Sequence, residues 1–547
     1  MSTHQRGREG PVSMPRTLSS LRTRRMLTWF VPVVGLALYL ILVPPVPDFA
    51  AQATRAAIFE KLGNVTWWPG WYGGLELPTY SVIAPALMAT IGVATTGALA
   101  SAVCMWVAHQ LFRGSARPRA ASVVFAACVL LNLFGGRITF LVGLAPAMLA
   151  VLALVRRRPW VAGIATVLSV LGSPLAGLFT GIVATAVLVT DRSRRREALV
   201  VGVATGASLG ALALLFQTPG VMAAPPHLVL LALLGLALVV AACREPTIRA
   251  GAVIVAIGLV VCMVVPNSVG LNLTRMVWLL AAPLIVGYGH RPDRLVVALT
   301  GLALIFPASD LSWQLAQADS PSASQSYYTP LLAQLKTRMN TDAALGQRVE
   351  VVEPQTKGAA RYVGESMPVA RGWERQADVT DNPIFYQEGA LDAASYRHWL
   401  DELAVAYVAV PEAKLDYASV DEAKLIAGGL PYLHEVWQNP DWTLYEVVDS
   451  APLARNAQVL TVDGNQLRLW VDHRGLVPIQ IRWSEHLAVL DGSQPLSEGV
   501  PAHGCLSKSG AWTLLHARRT GTYVLTSDFD VLPDQGQRGG TCRNSGE

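Results

Sequence analysis

Asp48 follows directly on the first long apolar stretch of this chain, at the depth where a carboxylate would meet a membrane surface. An ionisable group there is costly unless it is paired or put to use. Arg55 is a candidate partner, and 49–61 has the pattern of a short amphipathic helix lying on that surface. A carboxylate so placed can take the proton of a hydroxyl held within about 3 Å, or orient that hydroxyl. Arg137 and Arg275 each stand alone at the end of an apolar stretch. Either could contact a phosphate and stabilise charge developing on it, or simply snorkel to the surface. Gly135-Gly136 ahead of Arg137 leaves room for a headgroup, and Asp310, at the end of the last apolar stretch, can pair with either arginine.

Between Asp48 and the second apolar stretch lies an aromatic run, with Trp67, Trp68, Trp71 and Tyr72 set among Gly70, Gly73 and Gly74. Two readings stay open. Tryptophan and tyrosine gather at the headgroup level of any membrane protein, or the rings form a wall against which a sugar stacks. Glu76, just before the second apolar stretch, is a further acid in this region.

The elements that must hold these residues follow from composition. Of 547 residues, 52% are hydrophobic and 15% charged, but the charge is uneven. The first half is Leu/Val/Ala/Gly-rich, and the rest has the mixture of a soluble protein. Apolar stretches fall at 27–46, 80–108, 120–134, 138–155, 159–172, 174–190, 198–216, 227–243, 248–265, 274–289 and 293–308. A bilayer core asks for about 20 helical residues, so several are short. The pair broken by Gly172-Ser173-Pro174 reads as two spans with a tight turn or as one re-entrant pair.

Arginine crowds the N-terminus and then every second gap: 113–119, 156–158, 192–196, 244–249 and 291–294. The intervening gaps hold few basic residues, among them Arg55 with Lys61, Arg137 and Arg275. This is the positive-inside pattern of a chain with a cytoplasmic N-terminus. Eleven crossings would put everything after Pro307 outside the cytoplasm. There Cys505 and Cys542 could form a disulfide, while Cys104, Cys128, Cys243 and Cys262 read as small apolar residues. A pI near 8.9 then reflects contact with anionic membrane lipids, and no nucleic-acid motif is present.

The expected architecture is a polytopic α-helical membrane protein of about eleven spans, N-in and C-out, with an external α/β domain and a C-terminal β-sandwich-like domain. Its divisions are a basic N-terminus (1–26), a membrane domain (27–308) with the external loop 47–79, and external domains at 309–450 and 451–547. The α/β reading rests on helix-like stretches alternating with short apolar runs. The last part shows alternating runs separated by Gly/Asp/Asn turns. The polar region around Arg361, Glu365, Arg371, Glu374, Arg375, Asp378 and Asp381 reads as a solvated loop system or as a lip over an external site.

An Asp just after the first span, a surface helix, Gly63-Asn-Val-Thr-Trp-Trp-Pro-Gly-Trp-Tyr-Gly-Gly, and Pro78-Thr-Tyr opening the next span together resemble polytopic GT-C-type glycosyltransferases and their actinobacterial relatives. The segments beginning at Asn132 and Gly372 are similar to parts of those relatives. The resemblance implies a polyprenyl-phosphate sugar donor, a cell-envelope glycan or glycolipid acceptor, and Asp48 as base or substrate-orienting group. Glu76 is the second catalytic candidate. Gln52, Arg55, Trp68, Trp71, Tyr72, Arg137, Arg275 and Asp310 are the candidates for substrate contact. Those relatives often carry a second acid or histidine close behind the first, where this chain has Gln52.

No His, Asp and Glu cluster has metal-ligand spacing, so no cofactor is demanded, although a divalent cation bridging Asp48 and a phosphate is compatible with the sequence. Two rivals to a transferase stand: a non-catalytic lipid-binding protein of envelope assembly, which Gln52 favours, and a lipid or glycan transporter. The spans are nearly free of the mid-membrane charge that transporters use.

Overall fold

The computed structural model describes residues 17–216, 220–341, 344–491, 504–527 and 542. The basic N-terminus through Arg16 and part of the expected β module lie outside the described residues. The chain is a multi-pass α-helical membrane protein followed by β-sheet regions. Among the described residues five helices are long and apolar enough to cross a bilayer, or up to seven if each of two bent pairs makes one span.

Helix α1 (Thr17–Leu42) stops where Pro44, Pro45 and Pro47 remove backbone donors. Pro47 then opens α2 (Pro47–Leu62), as proline suits the first helical position, and the pair is bent by 70°. A two-residue hairpin follows, β1 (Trp67–Trp68) with β2 (Leu75–Glu76). The expected span over 80–108 is broken: α3 (Ala84–Ile91) meets α4 (Val93–Leu111) at 115°. Gly92 makes the corner at φ +87, a conformation that glycine adopts without penalty.

Next come α5 (Pro118–Phe134), α6 (Ile138–Val155), α7 (Pro159–Gly172), α8 (Pro174–Thr190), α9 (Arg195–Leu215), α10 (Pro226–Ala242), α11 (Pro246–Val264), α12 (Thr274–Tyr288) and α13 (Asp293–Ala318). Helices α5, α7, α8 and α10 have 17, 14, 17 and 17 residues, at or below the lower limit for a span. Helix α6 is mostly buried and forms the hub, packing on α4, α7 and α8. A Cβ on Gly172 would come within 2.9 Å of the Gly143 Cα, so α6 and α7 touch through glycines, the close contact that small residues allow between membrane helices. The last helix outruns its expected end at 308, because Pro307 is absorbed within it.

Beyond it, α14 (Gln325–Met339), β3 (Arg348–Val351), α15 (Gly358–Tyr362), α16 (Arg375–Asp381), α17 (Ala393–Glu402), β4 (Val405–Pro411), α18 (Val420–Ala427), β5 (Leu433–Gln438) and β6 (Trp442–Val447) make an α/β unit. Its sheet runs β3-β4-β6-β5, with β3 parallel to β4 and the other pairs antiparallel. Strands β7 (Gln458–Asp463), β8 (Gln466–Val471), β9 (Gly475–Arg482), β10 (Leu487–Asp491), β11 (Gly504–Ser509), β12 (Trp512–Ala517) and β13 (Gly521–Ser527) form two antiparallel sheets, β10-β13-β8-β7 and β11-β12-β9. Both contribute to one apolar cluster, with Leu469 and Val471 from the first and Ile479 and Leu515 from the second. Cys505 and Cys542 are disulfide-bonded.

Candidate functional site

The site begins with the backbone at Gly136. Its φ of +74 turns the chain between α5 and α6, and a Cβ there would lie 2.6 Å from the amide nitrogen of Phe49. Only glycine lets this turn sit against the start of α2. The result brings Arg137, at the head of α6, to Asp48, in the first turn of α2. Asp48 also gains from the positive end of the α2 dipole.

Arg137 is 9% exposed and holds two acids. Its Nη2 donates to Asp310 Oδ2 at 2.6 Å, whereas its Nε stands 3.5 Å from Asp48 Oδ2 and makes no hydrogen bond. Asp310 is therefore the bonded partner, and Asp48 keeps acceptor capacity. Asp310 lies inside α13 rather than at its end, a correction to the sequence expectation.

Arg275, in the first turn of α12, is half-buried. Asp48, Asp310, Arg137 and Tyr80 all act on it electrostatically. Among the described residues no carboxylate lies within 4 Å of its guanidinium, which sits 5.9 Å from the centre of the Phe140 ring. The arrangement thus combines a carboxylate with acceptor capacity, a shared arginine and a cation that lacks an ion-pair partner.

Gln52 lies one turn behind Asp48 and is 1% exposed. It donates to the Asp48 carbonyl oxygen at 3.3 Å and accepts from the Thr139 hydroxyl. Arg55 does not pair with Asp48 as the sequence suggested. It turns to Glu374 at the head of α16, and its guanidinium lies 3.8 Å over the Tyr80 ring. Burial favours this arrangement, since Glu374 without a cation would be an uncompensated charge in the interior.

The aromatic run is packed into the α/β unit and the C-terminal sheets. Trp68, Trp71 and Tyr72 join the apolar core of the α/β unit, while Trp67 joins that of the two C-terminal sheets. Trp71 and Tyr72 are 1% and 0% exposed. The Trp71 indole donates to the Ala360 carbonyl at 3.1 Å and the Tyr72 hydroxyl to the Glu374 carbonyl at 2.9 Å. Arg482 donates from its backbone to Gly73 and from its side chain to Tyr72. Glu76 accepts from the Ser484 hydroxyl at 2.6 Å and lines a cavity of about 420 Å³ together with Asp381, Arg482 and Trp483.

The polar region around Arg371 is buried as well. Arg371 grips Asp378 with two bonds of 3.0 and 2.6 Å and reaches Glu422 at 3.4 Å. This guanidinium, helped by Lys357 and the Tyr386 hydroxyl, overcomes burial and holds the Asp378 carboxyl down to about 2. For Glu422 and Glu353 burial wins over the nearby cations, and each is pushed up to about 7.

Sequence reasoning passed over Thr139 and Tyr80. The sequence signal for Thr139 was its place two residues after Arg137; for Tyr80, the ring closing Pro78-Thr-Tyr. Among the described residues no group of three or more His, Cys, Asp or Glu side chains is placed to hold a metal.

Residues 454–547 match a family described as a domain of unknown function (DUF8823). No curated protein matches the chain. Among solved structures it is similar to ArnT from Cupriavidus metallidurans, crystallised with undecaprenyl phosphate, at 13% identity and a TM-score of 0.35, over 80% of this chain and 99% of that one.

Proposed function

We propose that this protein is a membrane glycosyltransferase that moves a sugar from a polyprenyl-phosphate donor to a cell-envelope glycan or glycolipid acceptor. The carrying observation is the division of labour at Arg137: bonded to Asp310, it leaves the Asp48 carboxylate 3.5 Å away, within electrostatic reach of Arg275, which has no ion-pair partner among the described residues. In the reaction the acceptor hydroxyl oxygen bonds to the anomeric carbon as the bond from that carbon to the phosphate oxygen breaks. The hydroxyl proton passes to Asp48. The leaving phosphate keeps the electron pair, and Arg275 with Arg137 meets its charge. A purified preparation given radiolabelled polyprenyl-phosphate sugars and envelope lipid acceptors tests this directly; no transfer by wild type across the donor series overturns it.

A second reading is favoured by Gln52, which occupies the place of a second acid and is tied to Thr139 and the Asp48 backbone. A non-catalytic lipid-binding protein would retain polyprenyl phosphate at the same arginines without turnover.

The reading places the soluble half outside the cytoplasm after eleven crossings from a cytoplasmic N-terminus. It is supported by the alternating arginines and by the Cys505–Cys542 bond, since disulfides persist in oxidising compartments. Alkylation of intact cells with an impermeant reagent should label these cysteines only after reduction. Labelling that requires permeabilised cells would place the tail inside.

A further inference from the structure

On the arginine-rich face, away from Asp48 in the charge pattern, α10 and α11 enclose an open cavity of about 630 Å³. Its walls follow helical spacing. Leu233, Ala237 and Val240 lie along α10, and Ala252, Val253 and Ala256 along α11. Arg249 begins the same stripe of α11, and at 1.5 Å per residue the apolar wall continues for about 10 Å beyond it. The cavity is therefore charged at one end and apolar along its length.

The charged end is built from three separate segments. Arg244 comes from the link after α10, Arg249 from the first turn of α11, and Arg291 with His290 from the link before α13. The two links are held together: Cys243 bridges Gly289, the His290 amide donates to the Ala242 carbonyl at 3.1 Å, and the Arg291 side chain donates from Nε to the Ala241 carbonyl at 3.3 Å. Among the described residues, none of the three arginines has a carboxylate within 4 Å. Of the two nearest acids in sequence, Asp293 is bonded to Arg117 and Glu245 accepts the Arg244 amide. Among the described residues the three arginines are thus left without an ion-pair partner.

We infer that this groove binds one anionic phospholipid, its phosphate held by Arg244, Arg249 and Arg291 and an acyl chain laid between α10 and α11. Charge at one end and apolar wall along the rest match a lipid; a soluble anion would leave the wall unused. The site is separate from the one proposed for sugar transfer and does not depend on it.

Native mass spectrometry of the full chain in detergent, with added phosphatidylglycerol or phosphatidylcholine, tests this. Wild type should retain phosphatidylglycerol and release phosphatidylcholine. Arg249→Gln with Arg291→Gln should weaken retention by about thirtyfold, taking about 1 kcal/mol per arginine near an anionic surface. Arg156→Gln with Arg158→Gln removes equal charge from the same face and should change nothing. Ala256→Leu, which keeps every charge but fills the groove, should also weaken retention. Equal loss in the Arg156/Arg158 variant, full retention in Ala256→Leu, or displacement by millimolar inorganic phosphate would each overturn the inference.

Discussion

Arg55 and Glu374, 319 residues apart in sequence, form an ion pair in which each side chain is only 2% exposed. It joins α2, beside the candidate site, to the α/β unit. Removing one member of such a pair strands the other, at about 3–5 kcal/mol. Arg55→Met and Glu374→Gln should each lower the unfolding temperature in detergent, and the double variant should lose less than the two singles combined. Additive losses would show that the pair does not act as a unit.

Asp48→Asn keeps the size and removes the base. Transfer activity should fall by about 10²–10⁴, with membrane insertion and abundance unchanged. Activity within a few-fold of wild type would remove Asp48 from the mechanism.

The two arginines should separate by type of defect. Arg275→Gln breaks no ion pair, so it should weaken retention of polyprenyl phosphate at unchanged thermal stability. Arg137→Gln leaves Asp310 without its 2.6 Å partner and should cost both binding and stability. Identical profiles for the two variants would contradict their different surroundings.

Gly136→Ala tests the close approach of the α5–α6 turn to α2. At φ +74, with the added carbon 2.6 Å from the Phe49 nitrogen, something must shift. We expect a loss of about 1–3 kcal/mol together with loss of lipid-phosphate binding, read by melting and by lipid retention. A variant normal in both would mean that the contact is not needed.

The buried carboxyls predict a pH dependence. Glu353 and Glu422 have folded pKa values near 7, above their ordinary value of 4.5. Their contribution is therefore fully present below about 4.5 and is lost as pH rises through about 7. Asp378, held to about 2, acts oppositely: its contribution is present above its ordinary 3.8 and lost as pH falls through about 2. The protein should therefore melt higher at pH 5 than at pH 8, by roughly 10 °C. Glu422→Gln should flatten that difference, and an unchanged slope would show that Glu422 does not titrate in this window.

Much of this architecture is legible in the sequence. The apolar runs mark the membrane helices, and the prolines at 44, 45 and 47 separate α1 from α2. Asp48, Arg137, Arg275 and Asp310 can be picked out because charge at the edge of apolar sequence needs a reason. Other features depend on contacts across hundreds of residues. Nothing local tells Arg55 to choose Glu374 over Asp48, seven residues away. Tryptophan suits a headgroup belt and a domain core equally well, so the burial of Trp71 and Tyr72 could not be read from their types. Gly92 looks like any glycine in a membrane helix until its φ is known. Ser309 and Asp310 look like the end of a span, but polar residues do not stop a helix whose backbone bonds continue.

The Trp67 carbonyl accepts its hydrogen bond from Ser527, 460 residues further along the chain. At about 5–20 residues per second, the ribosome needs roughly 20–90 s to reach that serine after making the tryptophan. Trp68, Trp71 and Tyr72 are covered once the α/β unit is made, but the ring of Trp67, which belongs to the core of the two C-terminal sheets, must wait through nearly the whole of synthesis. A chain stalled or truncated before the last strand would therefore keep this tryptophan uncovered, together with the apolar faces of the strands already made.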